Sequence, residues 1–284
     1  MSPFPAWLKR PLPTKGEIAT LKQSFRAAGL HTVCESASCP NIGDCFARRT
    51  ATFMINGNIC TRACRFCDVE SGRPLPQNPR EPEELAKAAK NLGLRYIVVT
   101  SVNRDDLEDG AARQFVLVAQ ALRNEIPGIQ IEFLIPDFEG QRDALLMVLE
   151  SQPDVLNHNL ETVRRLTSGV RSKARYDRSL EVLRRASQLG ATRVKTGVML
   201  GLGETREELI ELFADVRETG CGILTLGQYL RPSPKHIEVQ RFVPPAEFAE
   251  LKLSAERAGI ATVFAGPWVR SSYHAGEVAH GLAV

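Results

Sequence analysis

The sequence predicts an α/β fold: a parallel sheet with helical crossovers and a ligand site at the C-terminal ends of its strands. Three observations predict it. Short β-branched apolar runs alternate with segments of helical period from residue 51 to residue 265, and such alternation means parallel strands joined by helices. Four polar clusters, TSVNRDD, NHNLE, GLGE and GQYLRPS, each follow an apolar strand, where parallel sheets place their sites. The 284 residues suit one large α/β domain with short additions, or two small ones. Periodicity alone leaves open whether the sheet is a full barrel, a partial barrel or open.

The elements follow in order. Residues 1–32 are Pro-rich, then helical over GEIATLKQSFRAAG (16–29). ATFMING (51–57) reads as the first strand of the series. RYIVVTS (95–101) is a buried β-branched strand, followed by the amphipathic helix GAARQFVLVAQALRNEI (110–126). IQIEFLI (129–135) is a strand, QRDALLMVLES (141–151) a helix and DVLNHN (154–159) a strand end. DRSLEVLRRASQLG (177–190) is a helix closed by Gly190, and TRVKTGVML (192–200) a strand. TREELIELFADVRETG (205–220) opens on a capping box, Thr205-x-x-Glu208. GILTLGQ (222–228), PAEFAELKLSAERAG (245–259) and IATVFA (260–265) complete the series as strand, helix and strand, giving roughly six β/α repeats.

At 43% hydrophobic and 24% charged, the composition is that of a soluble globular protein. A net charge of +3 is too weak to argue for nucleic acid. No apolar run reaches the roughly 18–20 residues of a membrane span. The N-terminus has neither the apolar core of a signal peptide nor the pattern of a transit segment, so a cytoplasmic location is expected, where thiols stay reduced.

Six of the seven cysteines lie between residues 34 and 67, in two triplets. Cys34, Cys39 and Cys45 are spaced C-x4-C-x5-C, and Cys60, Cys64 and Cys67 are spaced C-x3-C-x2-C. Structural zinc takes four ligands, usually as two close pairs. A [4Fe–4S] cubane takes one outer ligand per iron, so three thiolates leave one iron open to a substrate or cofactor. An electron carrier normally closes all four positions with cysteine; neither triplet does. Cys221, alone before a strand, reads as a small buried apolar residue.

The second triplet, with Phe66 as the aromatic of C-x3-C-x-Φ-C, resembles the radical S-adenosylmethionine (SAM) signature. TVCESASCPNIGDCF, TSVNRDDLEDGAA, NHNLETV, GVMLGLGET, LTLGQYLRPSPKHIEVQRFVPP and RSSYHA resemble, in order, the motifs of lipoyl synthases, from about Trp7 to Ala275. The resemblance implies a partial (β/α)6 TIM-type barrel of the radical SAM class over residues 51–265. An N-terminal extension (1–50) would carry ligands of an auxiliary cluster, and a C-terminal tail (266–284) the RSSYHA motif. It implies two [4Fe–4S] clusters: a SAM-binding one on Cys60, Cys64 and Cys67, and an auxiliary one on Cys34, Cys39, Cys45 and a serine of RSSYHA, with Ser272 favoured over Ser271. A serine alkoxide is a hard, labile ligand beside thiolate, which suits a cluster meant to come apart.

The implied reaction starts from an octanoyl chain in amide linkage to a carrier-protein lysine. A 5′-deoxyadenosyl radical abstracts hydrogen at C6, and the carbon radical attacks a sulfide of the auxiliary cluster. A second abstraction at C8 completes the insertion, with two SAM consumed and the auxiliary cluster sacrificed. The implied partners are octanoylated lipoyl carriers (lipoyl domains of 2-oxoacid dehydrogenase E2 components and the glycine cleavage H protein) and an electron donor such as ferredoxin or flavodoxin. No nucleic acid or membrane partner is expected, and a monomer is.

Within this resemblance, Asn159 and Glu161 are expected to hydrogen-bond SAM, with capping and a solvated carboxylate as the alternatives. Lys195, in a buried strand, either lines the site toward the SAM carboxylate or makes a salt bridge at the barrel rim. Arg231 has the same two options. His158 reads as a satisfied half-buried histidine rather than a base. GLGE, which lacks the P-loop pattern, is expected to let backbone approach SAM or substrate. Arg48 and Arg49 are an ordinary solvated pair, with docking of an acidic carrier as the alternative.

Overall fold

The computed structural model describes residues 4–9, 15–37, 39, 41–47, 52–272 and 275–276. Its strands are β1 (His31–Thr32), β2 (Thr52–Ile55), β3 (Ile59–Cys60), β4 (Glu70–Ser71), β5 (Tyr96–Ser101), β6 (Gln130–Leu134), β7 (Val155–Asn157), β8 (Val194–Leu200), β9 (Ile223–Gln228) and β10 (Thr262–Gly266). Its α-helices are α1 (Lys15–Ala27), α2 (Val33–Ser36), α3 (Ile42–Ala47), α4 (Glu81–Asn91), α5 (Ala112–Glu125), α6 (Arg142–Glu150), α7 (Arg164–Val170), α8 (Tyr176–Gln188), α9 (Arg206–Glu218) and α10 (Pro245–Arg257).

Eight strands form one sheet in the order β1-β2-β5-β6-β7-β8-β9-β10. Every neighbouring pair is parallel except β1 with β2. Six helices (α4, α5, α6, α8, α9 and α10) make the crossovers between consecutive parallel strands. Among the described residues β1 and β10 are the two edges, so the sheet is a partial barrel. The expected β/α series is present, with strand and helix ends moved by at most two residues. Helix α4 was not expected. Prolines crowd the stretch before it, but Pro82 sits in its first turn, where a missing N–H costs nothing. Its Leu85, Ala86 and Ala89 are buried at helical spacing.

One apolar cluster fills the space between sheet and helices. Alternate strand residues face it: Phe53 and Ile55, Ile97 and Val99, Ile131 and Phe133, Leu224 and Leu226. Phe115 of α5 meets Phe133 edge-on at 5.0 Å. The intervening residues face the barrel interior, and several are polar: Glu132, Asn157, Lys195 and Thr225 are all buried.

The capping box at α9 is formed as its sequence demands. Thr205 Oγ1 accepts from the Glu208 amide at 3.3 Å, and Glu208 accepts from the Thr205 amide at 2.9 Å. Thr205→Ala is expected to cost about 1 kcal/mol in urea unfolding, with the slope of the transition unchanged.

Candidate active site at the mouth of the barrel

The second cysteine triplet sits on a loop that leaves the C-terminal end of β2. Strands β3 and β4 pair at its base, Ile59 with Glu70 and Cys60 with Ser71. Cys60 is buried, and its sulfur accepts hydrogen bonds from the amides of Arg62 (3.4 Å) and Asn103 (3.3 Å). Cys64 pairs with Arg171, and Phe66 packs in a small apolar cluster with Leu202, Tyr229 and Ile237. Burial pushes the thiols of Cys64 and Cys67 up, Cys67 to about 12; the Cys60 charge raises both further, and the Cys64 charge raises Cys67. The three sulfurs therefore lie within electrostatic reach of one another. A cation cluster inverts that penalty, because bound metal deprotonates a thiol outright.

A buried guanidinium fixes the loop. Arg62 lies between Cys60 and Cys64 and is 4% exposed. It forks onto Asp105 after β5 at 2.8 to 3.1 Å and reaches Asp137 after β6 at 2.7 Å. Burial works against the ionised form of Asp137, but the hydrogen bond and charge of Arg62 outweigh it and hold that carboxyl well below the usual range. A second brace comes from 231–240, where His236 Nε2 donates to the Cys67 carbonyl at 3.1 Å and the Ile237 amide to that of Arg65 at 3.0 Å.

The first triplet is assembled in the same manner. Cys34 lies in α2, and the Cys39 amide donates to the Cys34 carbonyl at 3.2 Å. Burial, then the charges of Cys39 and Cys45, push the Cys34 thiol up to about 12. Both donor sets fit a cluster that takes one thiolate per iron; among the described residues no three Cys, His, Asp or Glu converge as ligands of one metal ion.

Ser271 and Ser272 reach this mouth from the far end of the chain. Asn159 Nδ2 donates to Ser271 Oγ at 3.3 Å and to Glu161 at 3.0 Å. Asn159 Oδ1 is buried with no partner among the described residues. Glu161 has φ +67°, a left-handed conformation that costs a non-glycine residue free energy. Burial raises its carboxyl, opposed by the Arg171 charge and the Asn159 hydrogen bond. Gly197 makes room for this pair: a Cβ there would lie 2.8 Å from both Asn159 Oδ1 and Thr225 Oγ1.

Lys195 and Arg231, each open to a ligand contact or a salt bridge, both pair with carboxylates of the chain. Of the readings open for Lys195, the structure shows the ion pair, inside the barrel rather than at its rim. Its ammonium donates to both oxygens of Glu132 at 2.9 and 3.1 Å, below Gly197 in β8. Arg231 binds its own loop, donating to the carbonyls of His236 and Pro234 and pairing with Glu238 at 3.3 Å, and so helps to shape the brace. The GLGE loop folds back onto its own carboxylate. Glu204 takes the amides of Gly201 and Leu202 at 2.7 and 2.9 Å, and a Cβ at Gly201 would lie 2.3 Å from Gln228 Nε2. Cys221 is buried as expected, while Arg48 and Arg49 lie outside the described residues.

His158 is satisfied as expected, but fully buried rather than half-buried. It is 1% exposed, between the Ile135 carbonyl (2.9 Å) and Ser179 Oγ (3.0 Å). A carbonyl only accepts, so the network assigns the proton to Nδ1 of a neutral ring. Burial lowers its pKa from 6.5 to about 4. The unfolded chain therefore binds a proton that the folded chain refuses between those values. The stability is present above pH 6.5 and lost as pH falls toward 4, by roughly 3 kcal/mol. Urea titrations at pH 7.5 and pH 4.5 measure it, and His158→Asn should flatten the difference.

Three thiols on a loop above a partial barrel's first parallel strand define the class, a radical SAM enzyme, and residues 54–216 match the radical SAM superfamily. The fold is shared with the FeFe-hydrogenase maturase HydG from Carboxydothermus hydrogenoformans, at TM-score 0.62 and 15% identity over 94% of this chain and 69% of that one. Within the class, the chain is 54% identical to a lipoyl synthase of Symbiobacterium thermophilum over 96% of its length and 86% of the relative's. It is 52% identical to a lipoyl synthase of Bacillus mycoides over 96% and 92% of the two lengths. The chain belongs to the lipoyl synthases. It is accordingly an enzyme, a sulfur-inserting lipoyl synthase that uses SAM and [4Fe–4S] clusters, an auxiliary one among them.

The cysteines were legible in the sequence; the residues that fix them were not. Arg62, Asn103, Asp137, Arg171 and His236 act through contacts 43 to 169 residues long. The exceptions are Asn103 and Asp105, which the TSVNRDD cluster marked in advance.

Proposed function

We propose that the enzyme inserts sulfur at C6 and C8 of an octanoyl group in amide linkage to a lysine of a carrier protein. Cys60, Cys64 and Cys67 hold the SAM-binding cluster, and Cys34, Cys39, Cys45 and Ser272 the auxiliary cluster. When bound, these groups supply a 5′-deoxyadenosyl radical and the sulfur. The observation that carries the reading is the meeting of Asn159, Glu161 and Ser271 at one mouth, 112 residues apart at the extremes. Asn159 Oδ1 and the strained Glu161 carboxylate are acceptors without a full complement of donors, suited to the hydroxyl and ammonium groups of SAM. Ser271 is already engaged by Asn159, which favours Ser272 as the ligand.

The domain division follows as 1–50, 51–265 and 266–284, the first joined to the barrel sheet through β1. The partners are E2 lipoyl domains or the glycine cleavage H protein, with ferredoxin or flavodoxin as reductant. The enzyme acts as a cytoplasmic monomer. Among the described residues no helix is long and apolar enough to cross a membrane.

The test is anaerobic. The reconstituted enzyme receives SAM, a reductant and an octanoyl-lysine peptide, and mass spectrometry follows the products. Sulfur at two carbons with two 5′-deoxyadenosines per product is expected. Formation of 5′-deoxyadenosine with no gain of sulfur would remove the octanoyl assignment.

A further inference from the structure

The serine proposed as the fourth auxiliary ligand must be held beside a cysteine loop more than two hundred residues earlier. A long-range hydrogen bond joins the two segments directly. Asn41, between Cys39 and Cys45, donates from Nδ2 to the Trp268 carbonyl at 2.8 Å, across 227 residues of sequence. The Asn41 carbonyl meanwhile accepts from the Cys45 amide at 3.0 Å, so the residue belongs to the triplet's own fold. We propose that Asn41 is a positioning residue for the auxiliary site. It fastens the segment carrying Ser271 and Ser272 to the loop carrying Cys34, Cys39 and Cys45. The inference rests on the ligand assignment above.

The rest of the segment is built to receive that fastening. Trp268 Nε1 donates to the Trp7 carbonyl at 3.2 Å, tying the segment to the N-terminal turn as well. The next residue fills a notch: a Cβ at Gly227 would lie 2.0 Å from the Val269 carbonyl oxygen, so only glycine admits the chain there. Asn159 then holds Ser271. Asn41 is therefore the anchor on the auxiliary side, and Gly227 and Asn159 are the anchors on the barrel side. Ser272 lies four residues past Trp268, and a chain spans at most about 3.6 Å per residue. An anchor at Trp268 thus confines the serine hydroxyl to the neighbourhood of the triplet.

The chemistry of the residue fits this task better than a packing task. Asn41 is 1% exposed, yet its Oδ1 has no partner among the described residues. A position kept for packing alone does not retain a buried amide with an unsatisfied atom. What this position needs is a short side chain that donates: aspartate is the same size and cannot donate, and alanine leaves the Trp268 carbonyl without its partner.

The chain has two tryptophans, Trp7 and Trp268, and this allows a direct reading. Trp7→Phe keeps the carbonyl that Trp268 binds and leaves Trp268 as the one indole. In that background, with the cluster-free thiols kept reduced, acrylamide quenching of Trp268 is compared with and without Asn41→Ala and Asn41→Asp. Both variants are expected to raise the quenching constant several-fold and shift the emission to the red. Thr205→Ala, a destabilising change far from the clasp, should leave it unaltered. Unchanged quenching in both Asn41 variants overturns the proposal. A second arm uses Cys60→Ala/Cys64→Ala/Cys67→Ala, which on the proposed assignment binds only the auxiliary cluster. There Asn41→Ala is expected to reproduce the change that Ser272→Ala makes in the electron paramagnetic resonance spectrum of the reduced cluster. If Ser272→Ala changes the spectrum and Asn41→Ala does not, the positioning role falls. If Ser272→Ala itself changes nothing, the serine assignment falls first and the positioning role with it.

Discussion

Replacing Lys195 with alanine is expected to lower the unfolding free energy by about 3–5 kcal/mol, the cost of stranding a buried charge. The partner left behind is Glu132, fully buried, with Lys195 1% exposed. With the ammonium gone, the carboxylate keeps two donors, Tyr96 Oη at 2.6 Å and Asn157 Nδ2 at 3.0 Å. Two neutral hydrogen bonds do not offset the desolvation of a full negative charge, so the loss of the cation decides the sign. The phenol of Tyr96 is held protonated by burial and by the Glu132 charge beside it, so it remains a donor at any neutral pH. The control is Lys195→Met/Glu132→Gln, which removes both charges and keeps an acceptor for Tyr96. It should recover most of the loss in a urea double-mutant cycle. A double variant as unstable as Lys195→Ala would show that packing, not the stranded charge, sets the cost.

Alanine at Cys60, Cys64 or Cys67 is expected to reduce SAM cleavage to the enzyme-free background and to halve the iron bound per chain. Two thiolates do not hold a cubane that takes one ligand per iron. The surrounding architecture offers no substitute, since the neighbouring side chains of Arg62, Asp105 and Asp137 are already committed to one another. Alanine at Cys34, Cys39 or Cys45 is expected to halve the iron as well, yet to leave 5′-deoxyadenosine formation in place while sulfur insertion stops. Iron analysis and product chromatography on the same preparations separate the two sets. Retained SAM cleavage in Cys64→Ala would remove the second triplet from the site.

Much of the barrel was legible because its signals are local. A buried parallel strand such as Tyr96–Ser101 must be apolar and β-branched, and a crossover helix such as Arg206–Glu218 shows its cap and its period within one segment. Helix α4 escaped because proline reads as a breaker unless its place in the first turn is known. For Lys195 and Arg231 the sequence left a ligand contact and a salt bridge both open, because a cation near a site looks available until its counter-charge is located. Glu132 is 63 residues from Lys195, and no periodicity links them.

The sequence by itself determined what is carried within a few residues: the strand and helix alternation, the two thiol triplets, and through its motifs the kinship with lipoyl synthases. Ligand spacing is local because one loop must present its thiolates together, so chemistry of that kind is written in consecutive residues. Only the tertiary structure decided which charges are consumed internally and which groups remain open at the mouth. It paired Lys195 with Glu132, placed Arg62 between two carboxylates, closed the GLGE amides on Glu204 and brought Asn41 to Trp268. These are contacts between distant segments. Their partners are chosen by the closure of the sheet and the need to satisfy every buried polar group, and neither condition is expressed in any short stretch of chain.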